Sequence, residues 1–204
     1  MADFLFNGPE TAEKTIVLAH GAGAGMESEF MDVIAVGLAD HGLRVARFEF
    51  PYMIKRRDDG KRRPPDRAPV LLQSYLDVAA ELGPENLIIG GKSMGGRIAS
   101  MIADEAGVAG LVCLGYPFHP PGKPDKQRTE HLAGLKTPAL ILQGERDPFG
   151  KREEVAGYTL SKSISVAFLP DGDHDLKPRK ASGRTRAENR AEAVDRIADF
   201  VSRL

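Results

Sequence analysis

The sequence predicts an α/β fold: a mostly parallel sheet of about six to seven strands with helices on both faces. Two patterns lead there. Short runs that are apolar on both faces alternate with longer amphipathic stretches, and several of the short runs stop at Gly or Pro. With 204 residues, 42% of them hydrophobic, the chain can bury a sizeable core, and one domain over residues 1–204 is expected.

In chain order, residues 3–7 could add an edge strand. Residues 14–20 read as a buried strand, 26–42 as a helix, and 43–50 as a second strand stopped by Pro51. A helix is expected over 68–82, where Leu71, Leu72, Tyr75, Leu76 and Ala79 share one face. Residues 86–90 are a third strand and 94–107 a third helix. Strands follow at 110–115, 139–143 and 164–169, and a last helix covers about 186–203. Two segments depart from this alternation: 55–67 is basic and Pro-containing, and 117–125 is rich in Pro. Both follow strands, so both should lie at the carboxyl edge of the sheet, where such folds bind ligands.

Composition excludes several classes. There are 28 Lys plus Arg against 29 Asp plus Glu, a net charge of −1, so a global nucleic-acid footprint is missing. The single cysteine, Cys113, cannot form an intramolecular disulfide, and one Cys with five scattered His cannot build a Cys-type zinc site. No apolar run approaches the roughly 18 residues of a membrane span. The first residues lack a basic segment followed by a long apolar one, so no secretory leader is expected. The expectation is a cytoplasmic protein with no membrane and no nucleic-acid partner. Its oligomeric state is left open.

The sharpest chemical signal is Gly91-Lys92-Ser93-Met94-Gly95, which fits G-x-S-x-G between a predicted strand and a predicted helix. A tight turn there pushes the serine side chain out at the sheet edge, at the positive end of the helix. The plainer reading is a glycine-rich turn with a serine N-cap. A phosphate loop competes, but it requires Gly at the position of Asn86. The stretch Gly21-Ala22-Gly23-Ala24-Gly25 lacks the third Gly of a dinucleotide fingerprint, where Met26 stands. Serine needs a base oriented by a third group. Asp147 follows the strand 139–143 and His174 follows the strand 164–169, so both reach the same edge as Ser93. Glu145 is the nearest rival for the acid. Asp171, Asp173 and Asp175 do not make a calcium loop, because its Gly and closing Glu are replaced by Leu176 and Ser182.

Acyl transfer also needs two backbone N–H groups aimed at the developing oxyanion. Met94 supplies one, and the loop after the first strong strand supplies the other, from Ala22 or, next best, Gly23. His20 is expected to tie that loop down. Topology sets Tyr52, Tyr116, Phe118 and Phe149 on the rim around Ser93 as candidate substrate contacts; the alternative is that they are core residues at strand ends.

The strings HGAGAGM, GGKSMGGR, QGERDPFG and GDHDL make the chain resemble the α/β-hydrolase superfamily over nearly its whole length. More narrowly they are similar to a small capless group related to dienelactone hydrolases. The resemblance implies the α/β-hydrolase fold, with Ser93 as nucleophile, Asp147 as acid and His174 as base. Dienelactone hydrolases use Cys as nucleophile, whereas this elbow carries Ser. The connection between the strands at 110–115 and 139–143 is about 23 residues, too short for a large cap.

Two functions remain in view. One is a serine hydrolase cleaving a small-molecule carboxylic ester or thioester, with no metal or organic cofactor required. The other is a binding or scaffold module that keeps the fold without turnover. Lys55, Arg56, Arg57, Lys61, Arg62 and Arg63, with Lys177, Arg179, Lys180, Arg184 and Arg186, form two basic runs expected at the same edge. They would favour an anionic substrate by raising its local concentration, or else only solvate their loops.

Overall fold

The computed structural model describes residues 2–204. Its elements are β1 (Leu5–Asn7), β2 (Thr15–Ala19), α1 (Glu29–Asp40), β3 (Arg44–Phe48), α2 (Pro51–Asp59), α3 (Ala68–Leu82) and β4 (Leu87–Lys92). They continue with α4 (Met94–Ala106), β5 (Gly110–Leu114), β6 (Ala139–Gly144), α5 (Arg152–Val155), β7 (Ile164–Leu169) and α6 (Arg186–Ser202). One seven-stranded sheet runs β1-β3-β2-β4-β5-β6-β7. All neighbours are parallel except β1, which pairs antiparallel with β3 at the edge. No helix among the described residues is long and apolar enough to cross a membrane.

The core follows from strand alternation. Val17, Ala19, Ile89, Leu111, Cys113 and Ile141 point to one face and pack with Tyr75, Val78, Ile98 and Ile102 of α3 and α4. Ile16, Leu18, Ile88, Val112, Leu114 and Leu142 point to the other and meet Ile34 and Leu38 of α1 and Ile197 and Val201 of α6. Because β2, β4, β5 and β6 are covered on both faces, they carry no polar alternation. The edge strand β7 is only partly buried along most of its length.

Two helices depart from expectation, the single turn α5 and the longer α2. Pro51 stops β3 and also starts α2 as its first residue, where its fixed φ and missing N–H are harmless. Gly60, at φ 71°, closes that helix in the left-handed region. Part of the basic segment is therefore helical, although only Tyr52 and Met53 of α2 are buried.

Candidate active site

Parallel strands bring three loops to one edge. Ser93 lies between β4 and α4 with φ 51° and ψ −112°, a sparsely populated conformation that costs about 1–3 kcal/mol. The turn is held by its surroundings. Ser93 N–H donates to the Leu114 carbonyl at 2.9 Å, and the Ser93 carbonyl accepts from Arg97 N–H at 3.0 Å. The flanking glycines are a steric requirement. A Cβ on Gly91 would stand 2.2 Å from the Ala19 carbonyl oxygen, and one on Gly95 would stand 2.4 Å from the same atom.

His174, in the loop after β7, reaches Ser93 Oγ with Nε2 at 2.8 Å. Its Nδ1 lies 2.8 Å from Asp147 Oδ2. A carboxylate can only accept, so Nδ1 carries the proton and Nε2 is free to accept from the serine hydroxyl. Asp147 is fully buried. Its Oδ1 accepts from Phe149 N–H at 2.9 Å, and its Oδ2 also accepts from Gln143 Nε2 at 2.9 Å. The rival Glu145 is engaged elsewhere, accepting from Asp171 N–H and Arg152, and these bonds hold its carboxyl below the usual range.

The loop after β2 is tied down by His20. Its Nε2 accepts from Phe50 N–H at 3.1 Å, and its Nδ1 donates to the Gly21 carbonyl at 2.7 Å. Burial pushes its pKa down to about 4, so the ring stays neutral. Ala22 borders the cleft on both sides of Ser93, whereas Gly23 borders only one. Neither Ala22 N–H nor Met94 N–H donates to a protein group among the described residues.

Three of the four expected rim residues turn inward. Tyr52, Tyr116 and Phe118 are at most 1% exposed and do not line the cleft. Strand-end topology fixes where a loop begins but not which way a ring points, and these rings gain more by packing. Tyr52 lies edge-on to His20, and its hydroxyl donates to the Ala22 carbonyl at 3.0 Å. Tyr116 and Phe118 pack with rings tilted and centroids 4.8 Å apart, and they anchor Arg128, whose carbonyl accepts from Tyr116 hydroxyl and whose N–H donates to the Phe118 carbonyl. Phe149 does line the cleft, its ring centroid 4.3 Å from that of His174.

Five of the eleven cations in the basic runs are ion-paired. Arg57 pairs with Glu49, Arg63 with Asp59, Arg179 with Asp171, Arg184 with Glu192 and Arg186 with Glu29, while Arg56 donates to the Gly23 carbonyl. Lys177 and Arg186 border the cleft.

Two positioning groups escaped the sequence reading. Gln143 is fully buried; its Nε2 donates toward Asp147 Oδ2, the Tyr116 carbonyl and the Gly150 carbonyl, and its Oε1 accepts from Tyr116 N–H. Its signal was a lone amide at the end of an apolar strand, four residues before Asp147. Lys92 donates a short hydrogen bond to the His174 carbonyl and pairs with Asp175 at 3.2 Å. Burial holds its pKa below the usual lysine range.

Solved structures share this fold. A dienelactone hydrolase from Anabaena variabilis superposes with a TM-score of 0.74 at 20% identity, over 98% of this chain and 90% of that one. An alpha-beta serine hydrolase homologue from Coxiella burnetii gives 0.68 at 20% identity, covering 95% and 90%. A serine hydrolase without lid from Xanthomonas campestris gives 0.66 at 19% identity, covering 96% and 88%. Residues 12–202 match the family model described as the alpha/beta hydrolase domain, and the chain belongs to that family.

Proposed function

We propose that the chain is a serine hydrolase that cleaves a small carboxylic ester or thioester through an acyl-enzyme on Ser93. The observation that carries this reading is the unbroken hydrogen-bond chain from Ser93 Oγ through His174 to buried Asp147. His174 Nε2 takes the hydroxyl proton as Oγ attacks the substrate carbonyl carbon. Asp147 stabilises the imidazolium, while Ala22 N–H and Met94 N–H donate to the oxyanion. The tetrahedral adduct collapses, the bond to the leaving oxygen or sulfur breaks, and His174 returns the proton to it. Water, deprotonated by the same imidazole, then releases the acid. None of these steps calls for a metal or an organic cofactor. The hydrolases named among the structural neighbours are consistent with this chemistry.

The test is labelling by a fluorophosphonate probe together with hydrolysis of short 4-nitrophenyl esters. Wild type should be labelled and active, and Ser93→Ala should be neither. His174→Ala should lose at least about a thousandfold in kcat. Folded wild type that neither labels nor turns over any ester would refute the reading in favour of a scaffold.

A further inference from the structure

The cleft divides at Ser93. One part, of about 500 Å³, contains Met94, Arg97 and Arg128. The other, of about 620 Å³, contains His174. Ser93, Ala22 and Phe149 border both. If Ser93 is acylated as proposed above, the departing group must receive its proton from His174, so it leaves through the second part. The acyl chain then extends into the first.

That first part has an unusual charge arrangement. Arg97 stands one helical turn beyond Ser93 on α4, and Arg128 comes from the β5–β6 connection with its backbone clamped by Tyr116 and Phe118. Both are partly buried. Neither guanidinium has a hydrogen bond or an ion pair with a protein group among the described residues, and Arg97 Nε is buried without a partner. Burial and the neighbouring charge of Arg97 hold Arg128 below the usual arginine range; Tyr116 opposes this, and no carboxylate does. The single acid lining this part, Asp66, pairs with neither arginine, and its Oδ2 is itself buried without a partner. Two cations against one acid leave a net positive acyl pocket. Like charges withdrawn from water without a counter-ion are costly, and an anion between them relieves both the repulsion and the lost solvation. A planar carboxylate matches two guanidinium forks.

We propose that the preferred substrate is a half-ester or half-thioester of a dicarboxylic acid, whose free carboxylate is held by Arg97 and Arg128 at the far end of the acyl chain. This assigns substrate charge to the acyl side, where both cations lack an acid partner, rather than to the leaving-group side, where Lys92, Arg186 and Arg190 are ion-paired, or to the exposed basic runs. It rests on the serine hydrolase reading.

The experiment compares kcat/KM for the 4-nitrophenyl half-ester of adipic acid with that for its uncharged adipamate counterpart, after subtracting spontaneous hydrolysis. A second pair carries the carboxylate or carboxamide on the leaving phenol instead. Wild type should favour the acyl carboxylate over the acyl amide by about tenfold or more, as a charge-assisted contact implies. Arg97→Gln and Arg128→Gln should each bring that ratio toward one. Because the readout is a ratio within one variant, general damage to folding or chemistry cancels. Arg128→Lys should keep part of the preference, and Arg62→Gln, in the exposed basic run, should keep all of it. Hydrolysis of the neutral esters with a ratio near one, a ratio unchanged in both glutamine variants, or a preference only for charge on the phenol overturns the inference. Absence of both labelling and turnover in wild type brings down the serine hydrolase reading, and the inference with it.

Discussion

Replacing Gln143 by Leu removes a buried amide that serves four groups at once. Oδ2 of Asp147 keeps its bond to His174, and the Tyr116 carbonyl keeps a donor in Phe118 N–H. Tyr116 N–H and the Gly150 carbonyl are left with no partner. Each buried orphan costs about 1–3 kcal/mol. Leu is close in volume and regains some burial energy, so the net loss should be about 2–5 kcal/mol. For a domain of this size that lowers Tm by about 5 to 20 °C. Asp147 also loses one of its donors, which loosens the carboxylate that orients His174, so kcat should fall about tenfold or more with KM nearly unchanged. Urea unfolding measures the first effect and steady-state hydrolysis of a short 4-nitrophenyl ester the second. A Leu variant within about 0.5 kcal/mol of wild type and with normal kcat would show that Gln143 is only a space-filler.

Other outcomes follow from the same contacts. His20 is held near pKa 4 when folded against 6.5 unfolded. The unfolded chain therefore binds the extra proton as pH falls, and about 2 kcal/mol of stability should be lost between pH 7.5 and 5; urea midpoints of wild type and His20→Asn should converge over that range, and parallel curves would refute it. Cys113 is buried, which pushes its thiol pKa up, so a thiol reagent should react with one equivalent in urea and with essentially none in the native protein. Gly95→Ala puts a methyl against the Ala19 carbonyl oxygen and should cost both stability and labelling at Ser93; full labelling with unchanged Tm would contradict the steric reading. Lys92→Met should lower kcat more than it lowers Tm, because the His174 carbonyl loses its anchor.

The central strands were legible because burial on both faces leaves an uninterrupted apolar run. The expected strand at 164–169 coincides with β7, and 139–143 falls one residue short of β6. Helix α2 was not legible, since its sequence PYMIKRRDD buries two residues and has no apolar stripe. Its signals are Pro at the first position and Gly at the end, and the first of these also reads as a strand stop. At the site, chain order and strand ends suffice to bring Ser93, Asp147 and His174 to one edge. They do not decide rotamers, which is why Tyr52, Tyr116 and Phe118 were expected in the cleft and lie beneath it. Gln143 has only a faint local signal, an amide four residues before Asp147, and its bonds to Tyr116 join segments 27 residues apart; Arg97 and Arg128 come together from separate segments, and no local pattern announces them.

The position of His174 has a consequence for how the protein fails. Ser93 follows β4 and Asp147 follows β6, both enclosed within the sheet, but His174 hangs from β7, an edge strand that is half in water and paired on one side only. Such a strand opens by sub-global fluctuation at a lower free energy than the rest of the molecule. Its departure would carry off the imidazole while the elbow and the core stayed intact. Mild heat or denaturant should therefore yield a population that is still compact and spectroscopically folded but chemically mute, with the serine present and nothing to take its proton. Loss of turnover would then report the fraying of one edge of the sheet rather than the melting of the whole protein.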